Sequence, residues 1–285
     1  MEKIPVRRID ATFNKSDSFQ HFSIRHLSDL LSGKDMVQPL HRHDFFHILV
    51  LEKGKGLHAI DFKKYDVKDN SVFLIRPGQA HSLELKADCS GYMIQLTADF
   101  YSSDDKNNSS FLRKAAYQNH YAIEGNKFKK VLPVLVSIFE EYKNQQENYT
   151  EIIKANLNIL FVELIREQNK NQQSKTNSYA QERLEEFLEL LEIHILTHKQ
   201  ASSYAKMLHL TSYQLNAITK TLVNKTASEL ITEAILLESK RYLLATTHQV
   251  NQIAGYMGYD DVSYFIRFFK KHTGFSPETF RQNFK

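Results

Sequence analysis

From about Ile9 to Leu96 the apolar residues come in short runs, and from Phe128 onward they fall at helical spacing. The runs FFHILVL, GLHAIDF, SVFLIRP, HSLEL and GYMIQL, between Phe45 and Leu96, are rich in β-branched and aromatic residues. EKGKG, KDN, RPGQA and ADCSG punctuate them as turns. Short strands at this spacing predict a small sandwich or barrel. SSDDKNNSS, 102–110, reads as a polar loop that closes the region.

Val131, Leu135, Ile138 and Tyr142 then follow 4,3,4 spacing, with Leu132 and Phe139 alongside. Ile153, Leu157, Leu160 and Leu164 repeat it, and KNQQEN joins the two predicted helices. Such a stripe serves two ends: packing against the strands of the same chain, or a dimer seam of coiled-coil type. NKNQQSKTNS has no large apolar residue and predicts a linker. Seven helical segments follow, near 181–196, 202–208, 212–222, 227–244, 251–257, 261–272 and 277–283. The expected fold is therefore α+β. It has a strand domain over 1–110, a helical dimerisation region over 111–170, a linker over 171–180 and an all-α domain over 181–285.

Composition changes this picture little. The 285 residues suit two domains, and a single cysteine, Cys89, excludes an intrachain disulfide and a four-cysteine zinc site. One cysteine, no apolar core in MEKIPVRRIDATF and no run long enough to span a bilayer predict a cytoplasmic protein without a membrane partner. Net charge is only +4, but it is uneven. From Thr197 onward eleven Lys/Arg stand against six Asp/Glu, whereas the preceding residues carry twenty-six and twenty-seven.

The C-terminal third contains a repeat. AKMLHLTSYQLNAITKTLVNKT from Ala205 aligns with AGYMGYDDVSYFIRFFKKHTGFS from Ala254, with one extra residue in the second copy. Ala205 meets Ala254, Leu208 meets Met257, Leu215 meets Phe265, Ile218 meets Phe268 and Asn224 meets Gly274. Each copy offers a small residue for a close helix crossing and a turn, with Gly258 suited to positive φ in the second. Predicted N-caps are Thr211 and Asp260, and predicted left-handed C-caps are Asn224 and Gly274. Thr226 and Ser276 then cap the next helices. This is the plan of two helix-turn-helix units. Tyr259, Phe265, Phe268, Phe269, Phe275 and Phe280 are expected to be mainly core. Ser263, Arg267, Lys270 and Lys271, with Tyr264 beside them, form an outward stripe suited to bases and phosphates in a major groove.

VNQIAGYMGYDDVSYFIRFFKKHTGFSPETFR resembles the signature of the AraC/XylS family of bacterial transcription regulators. The matched features are Ile253-Ala254, Gly258-Tyr259, Ser263-Tyr264-Phe265, Arg267, Phe269-Lys270-Lys271, Gly274, Ser276-Pro277 and Arg281. The resemblance implies that 181–285 is a double helix-turn-helix domain bridged by the helix 227–244. It also implies Tyr213, Gln214 and Asn216 toward bases from the first recognition helix, with Lys220 toward phosphate. Ser263, Tyr264 and Arg267 take the base-facing positions in the second. Two positions depart from the family pattern: Ala217 replaces a long polar residue, and Thr219 replaces an aromatic.

His41-x-His43, His47 and the RPGQAH that ends at His81 resemble cupin motifs and the sensor domain of AraC-type regulators. Residues two apart on a strand point the same way. These four histidines are the expected effector pocket, and His58, Tyr92 and Gln95 are further candidates for the interior. Converging imidazoles also suit a divalent metal, which would fit a cupin metalloenzyme, but the fused DNA-binding domain favours sensing and calls for no cofactor. The expected function is thus effector-responsive regulation by a non-enzyme. Its partners would be promoter DNA, a small-molecule effector, a second copy of the chain and, for an activator, RNA polymerase. The alternatives are a cupin metalloenzyme with a DNA tether and an architectural DNA-binding protein.

Overall fold

The computed structural model describes residues 6–7, 21–102, 106–169 and 178–284. They belong to two compact units that divide between residues 173 and 174. Most of the expected linker, and the expected strand start at Ile9, lie outside the described residues.

Among the described residues the N-terminal unit contains two five-stranded sheets. The strands are β1 (Val6–Arg7), β2 (Phe22–His26), β3 (Met36–His43), β4 (Phe46–Lys53), β5 (Gly56–Ile60), β6 (Lys63–Val67), β7 (Ser71–Ile75), β8 (His81–Leu85), β9 (Ser90–Leu96) and β10 (His120–Ala122). One sheet runs β1-β3-β8-β5-β6 and the other β10-β7-β4-β9-β2. Apart from the parallel β1–β3 pair, the pairings are antiparallel. The sheets share a core but remain two separate sheets, so the expected barrel is not closed. Helices α1 (Leu27–Leu31), α2 (Ala98–Ser102), α3 (Lys106–Ala116), α4 (Gly125–Asn144) and α5 (Tyr149–Asn169) complete the unit.

Central strand β4 explains the layering. Its apolar residues are buried on both faces, because one face meets helices and the other meets the opposite sheet. Ile48 and Val50 join Val72, Leu74 and Ile94 beneath the helices. Leu49 and Leu51 join Phe73, Ile75, Leu83 and Leu85 between the sheets. The period of two therefore assigns each residue to a layer, and it puts His47 and Gln95 in the inter-sheet layer.

Two expectations are corrected here. The polar stretch 102–110 is not simply a loop, because α3 begins at Lys106 and is held by buried Leu112, Ala115 and Ala116. The stripe Ile153, Leu157, Leu160 and Leu164 is not a dimer seam. All four side chains are fully buried against Val131, Leu135, Ile138 and the strand residues above. Burial of each such side chain contributes about 1.5–3 kcal/mol to the fold of the single chain.

Among the described residues the C-terminal unit has seven helices: α6 (Ser178–His194), α7 (Ala201–Met207), α8 (Ser212–Val223), α9 (Ala227–Ala245), α10 (Val250–Tyr256), α11 (Val262–Thr273) and α12 (Pro277–Phe284). Its core joins Phe187, Tyr204, Leu215, Ile231, Ile253, Phe265, Phe269 and Phe280. The repeat is visible in the backbone. Leu210 N–H bonds Ala205 C=O at 2.8 Å and Tyr259 N–H bonds Ala254 C=O at 2.9 Å, so both turns close alike. Gly258 takes φ +69°, and its counterpart His209 takes φ +54°. Asn224 and Gly274 are left-handed C-caps, as expected. Thr211 and Thr226 each form a capping box, with Gln214 and Glu229. The N-cap of α11 is Asp261 rather than Asp260, and its carboxylate accepts from Ser263 N–H at 2.7 Å. Phe275 is also corrected: it is exposed rather than core.

Candidate functional site

Two sites take shape, one in each unit. In the C-terminal unit, α8 and α11 are the second helices of the two helix-turn-helix units. Buried Leu215, Ile218 and Thr219 fix the inner face of α8, and Phe265 and Phe269 fix that of α11. The outer face of α11 then carries Ser263, Tyr264, Arg267, Lys270 and Lys271, all exposed. Arg267 lies 3.7 Å from Asp261 in a solvent-exposed pair, which contributes little and leaves the guanidinium available to a stronger acceptor. On α8, Tyr213 is 83 % exposed and Lys220 is exposed on the same side, with exposed Ala217 and Thr221 beside them.

Two residues of the first unit are engaged locally. Gln214 is exposed, but its amide oxygen accepts from Thr211 N–H at 2.9 Å in the capping box. Asn216 is half-buried and its amide oxygen accepts from Ala227 N–H at 2.9 Å. It ties α8 to the start of α9 instead of facing outward, which corrects the base-facing reading. Arg281, a signature residue, is also structural: its guanidinium donates to Leu243 C=O at 3.0 Å and to His248 C=O.

The second site is a cavity of about 120 Å³ between the two sheets of the N-terminal unit. His41, His43 and His81 reach it from β3 and β8, and His47 reaches it from β4 of the facing sheet. A register shift between Gln38 and His41 in β3 accompanies their placement, with His41 directly opposite His81. All four rings are buried. Leu30, Met36, Leu83 and Met93 supply apolar walls, and Gln38 and Gln95 supply amides. Arg7 and Arg25 line it as well, and no Asp or Glu does among the described residues.

The rings are linked. His58 Nε2 lies 3.0 Å from His81 Nδ1, and His81 Nε2 lies 2.8 Å from His43 Nε2. His41 Nδ1 donates to Pro39 C=O at 2.6 Å. Nδ1 of His43, His47 and His58 has no hydrogen-bond partner among the described residues. Burial, reinforced by neighbouring rings, pushes His43 down to about 2 and His58 to about 3; burial together with His41 and Arg7 takes His47 to about 3. His41 and His81 are lowered for the same primary reason. The cluster is therefore neutral at physiological pH, with the positive charge carried by the arginines. Of the further candidates, His58 and Gln95 lie between the sheets, but Tyr92 packs on the helix side against Phe139. Arg7 and Arg25 were missed. Alternation in FSIRH could have shown Arg25, since Phe22 and Ile24 face the helices and leave Ser23 and Arg25 for the other side.

Residues 31–121 match a family model described as an AraC-like ligand binding domain, and residues 204–283 match one described as a helix-turn-helix domain. The chain belongs to the AraC/XylS family of transcription regulators. It is a DNA-binding regulator with an N-terminal ligand-binding domain. Its relatives include the HTH-type transcriptional activator RhaS of Escherichia fergusonii, 25 % identical over 254 residues, covering 86 % of this chain and 87 % of that one. RhaS of Escherichia coli O157:H7 is 23 % identical over 255 residues, with the same coverage. Among solved structures, fatty-acid-bound ToxT from Vibrio cholerae aligns with a TM-score of 0.40 and 16 % identity over 94 % of this chain and 97 % of that one. No helix among the described residues is long and apolar enough to cross a membrane.

Proposed function

We propose that this regulator is effector-responsive and that a small polar molecule binding between the two sheets changes its hold on promoter DNA. The observation that supports this is the inter-sheet cavity: four buried histidines, two arginines and two amides converge on it inside an otherwise apolar core. Unpartnered buried polar atoms cost about 1–3 kcal/mol each, so a ligand with acceptor oxygens gains by satisfying them. Such a ligand shifts the DNA-binding equilibrium only as far as it prefers one state. The DNA-reading groups are Tyr213, Lys220, Ser263, Tyr264, Arg267, Lys270 and Lys271, with Gln214 confined to the edge by its cap. The regulator acts in the cytoplasm, where promoter DNA lies, works as a homodimer and carries out no catalysis. As an activator it would also touch RNA polymerase. Self-association uses the apolar residues that α4 and α5 leave exposed, Val136, Ile152 and Ile159. The test is a thermal-shift screen of the full chain against sugars, sugar acids and dicarboxylates, followed by operator affinity with each hit. A hit should raise the melting temperature dose-dependently, change operator affinity, and lose both effects in His43→Ala and His81→Ala. A compound that changes operator affinity equally in wild type and both variants would place the effector elsewhere.

A further inference from the structure

Two segments distant in sequence meet behind α11. One is the connector between α6 and α7, with Leu196 and Lys199; the other is the turn of the second helix-turn-helix unit, with Gly258 and Tyr259. Lys199 Nζ donates to Leu196 C=O at 3.2 Å and to Gly258 C=O at 2.9 Å, and it lies 4.9 Å from the centroid of the Tyr259 ring. The backbones come as near: a Cβ on Gly258 would stand 2.1 Å from Leu196 O and 2.7 Å from Lys199 Nζ. Burial lowers the pKa of Lys199, and the Asp260 carboxylate opposes this.

Each end of this contact leads to one reading helix. The connector is held to the first unit, since the Tyr204 hydroxyl on α7 donates to His198 C=O at 2.7 Å. Tyr204 shares a core with Leu215 of α8. On the other side, the Tyr259 ring packs against Tyr264, Phe265 and Phe268 of α11, with centroids 5.9, 5.3 and 5.9 Å away. The chain of contacts from α8 through α7, Lys199 and Tyr259 to α11 bypasses the bridging helix α9. The repeat does not dictate it: the first unit has His209 and Leu210 at the equivalent turn, and Leu210 offers no ring to a cation. Two of the three ammonium donors are spent on carbonyls and the charge meets a ring face, so little is left for a DNA phosphate.

We propose that Lys199 is a positioning residue that clamps the second helix-turn-helix unit to the first and so fixes the spacing between the DNA segments read by α8 and α11. One base pair more or fewer turns the second segment by about 34–36° around the duplex, which a fixed clamp cannot follow. The proposal rests on both helices reading DNA, and the test separates the two claims.

The probe is the sequence that the full chain selects from a random library. Two preferred segments at one spacing establish the paired reading; a single segment would sink both it and the clamp. Binding is then compared on the selected duplex and on duplexes with one base pair added or removed between the segments. Wild type should prefer its own spacing by about 10–100-fold, the worth of one or two base contacts. Lys199→Met should cut that ratio about tenfold, the worth of one hydrogen bond to a charged group. Lys199→Arg keeps the charge and the donors and should retain it. Salt dependence should match wild type in both variants. An unchanged ratio in Lys199→Met overturns the proposal, even with affinity lowered evenly on every spacing. So does a flattened salt dependence, which would make Lys199 a phosphate contact. If circular dichroism shows Lys199→Met unfolded, Lys199→Gln, which keeps an N–H for Gly258 but not the charge, is read against the same two outcomes.

Discussion

Acidification should destabilise the N-terminal unit well above the pH at which carboxylates titrate. An unfolded histidine titrates near 6.5, whereas His43 is held near 2 and His47 and His58 near 3 in the fold. The folded value lies below the unfolded one. Between them the unfolded chain binds protons that the native chain refuses, so stability falls as pH drops below about 6.5 and levels off near the folded values. At about pH 5.5 each ring costs about 1.4 kcal/mol relative to pH 7.5, or about 4 kcal/mol for the three. His41 and His81, shifted the same way, add to this. The sum depends only on the folded values lying well below the window. A domain of this size loses about 2–4 °C per kcal/mol, so calorimetry should show a drop of about 10 °C. His47→Gln should remove about 1.4 kcal/mol of the fall. A melting temperature unchanged within about 2 °C between these pH values would refute the reasoning, because it requires rings that titrate normally in a wet cavity.

Arg267→Ala should cost about 1–3 kcal/mol of specific DNA binding and relax one base position, read by selection from a random library. Lys270→Ala should weaken all sequences more evenly and flatten the salt dependence of binding. Leu157→Lys should prevent folding of the N-terminal unit, whereas Ile152→Lys with Ile159→Lys should leave it folded and monomeric by sedimentation. A folded Leu157→Lys protein would contradict the burial described here. Gly258→Ala should destabilise the C-terminal unit by about 1–3 kcal/mol, since a Cβ there lies 2.1 Å from Leu196 O at φ +69°. His209→Gly, at the matching turn, should be neutral or stabilising in the same denaturant titration.

The C-terminal unit was legible because its determinants are local. Thr211, Thr226, Asn224 and Gly274 cap helices within a few residues of themselves, and the second copy repeats most of the pattern of the first. Asn216 escaped because its bonding partner, Ala227, lies across a turn that a helical wheel does not include. In the N-terminal unit the strands were legible from alternation, but closure was not, since pairings such as β3 with β8 join residues far apart in sequence. Periodicity identified the buried face of α5 without saying what covers it, which is why Leu157 suited both a seam and a core. The histidines could be grouped by parity. His58 was already a candidate for the interior, but its bond to His81 and the place of Arg7 emerged only once the sheets were laid together.

The central claim is that α8 and α11 together read promoter DNA. Selection of bound sequences from a genomic library, followed by footprinting of the full chain, tests it most directly. The account predicts protection of two major-groove segments on one face of the duplex, about one helical turn or ~10 base pairs apart, with the segment nearest α11 lost in Arg267→Ala. Enrichment of no sequence, with binding that only tracks salt, would contradict it.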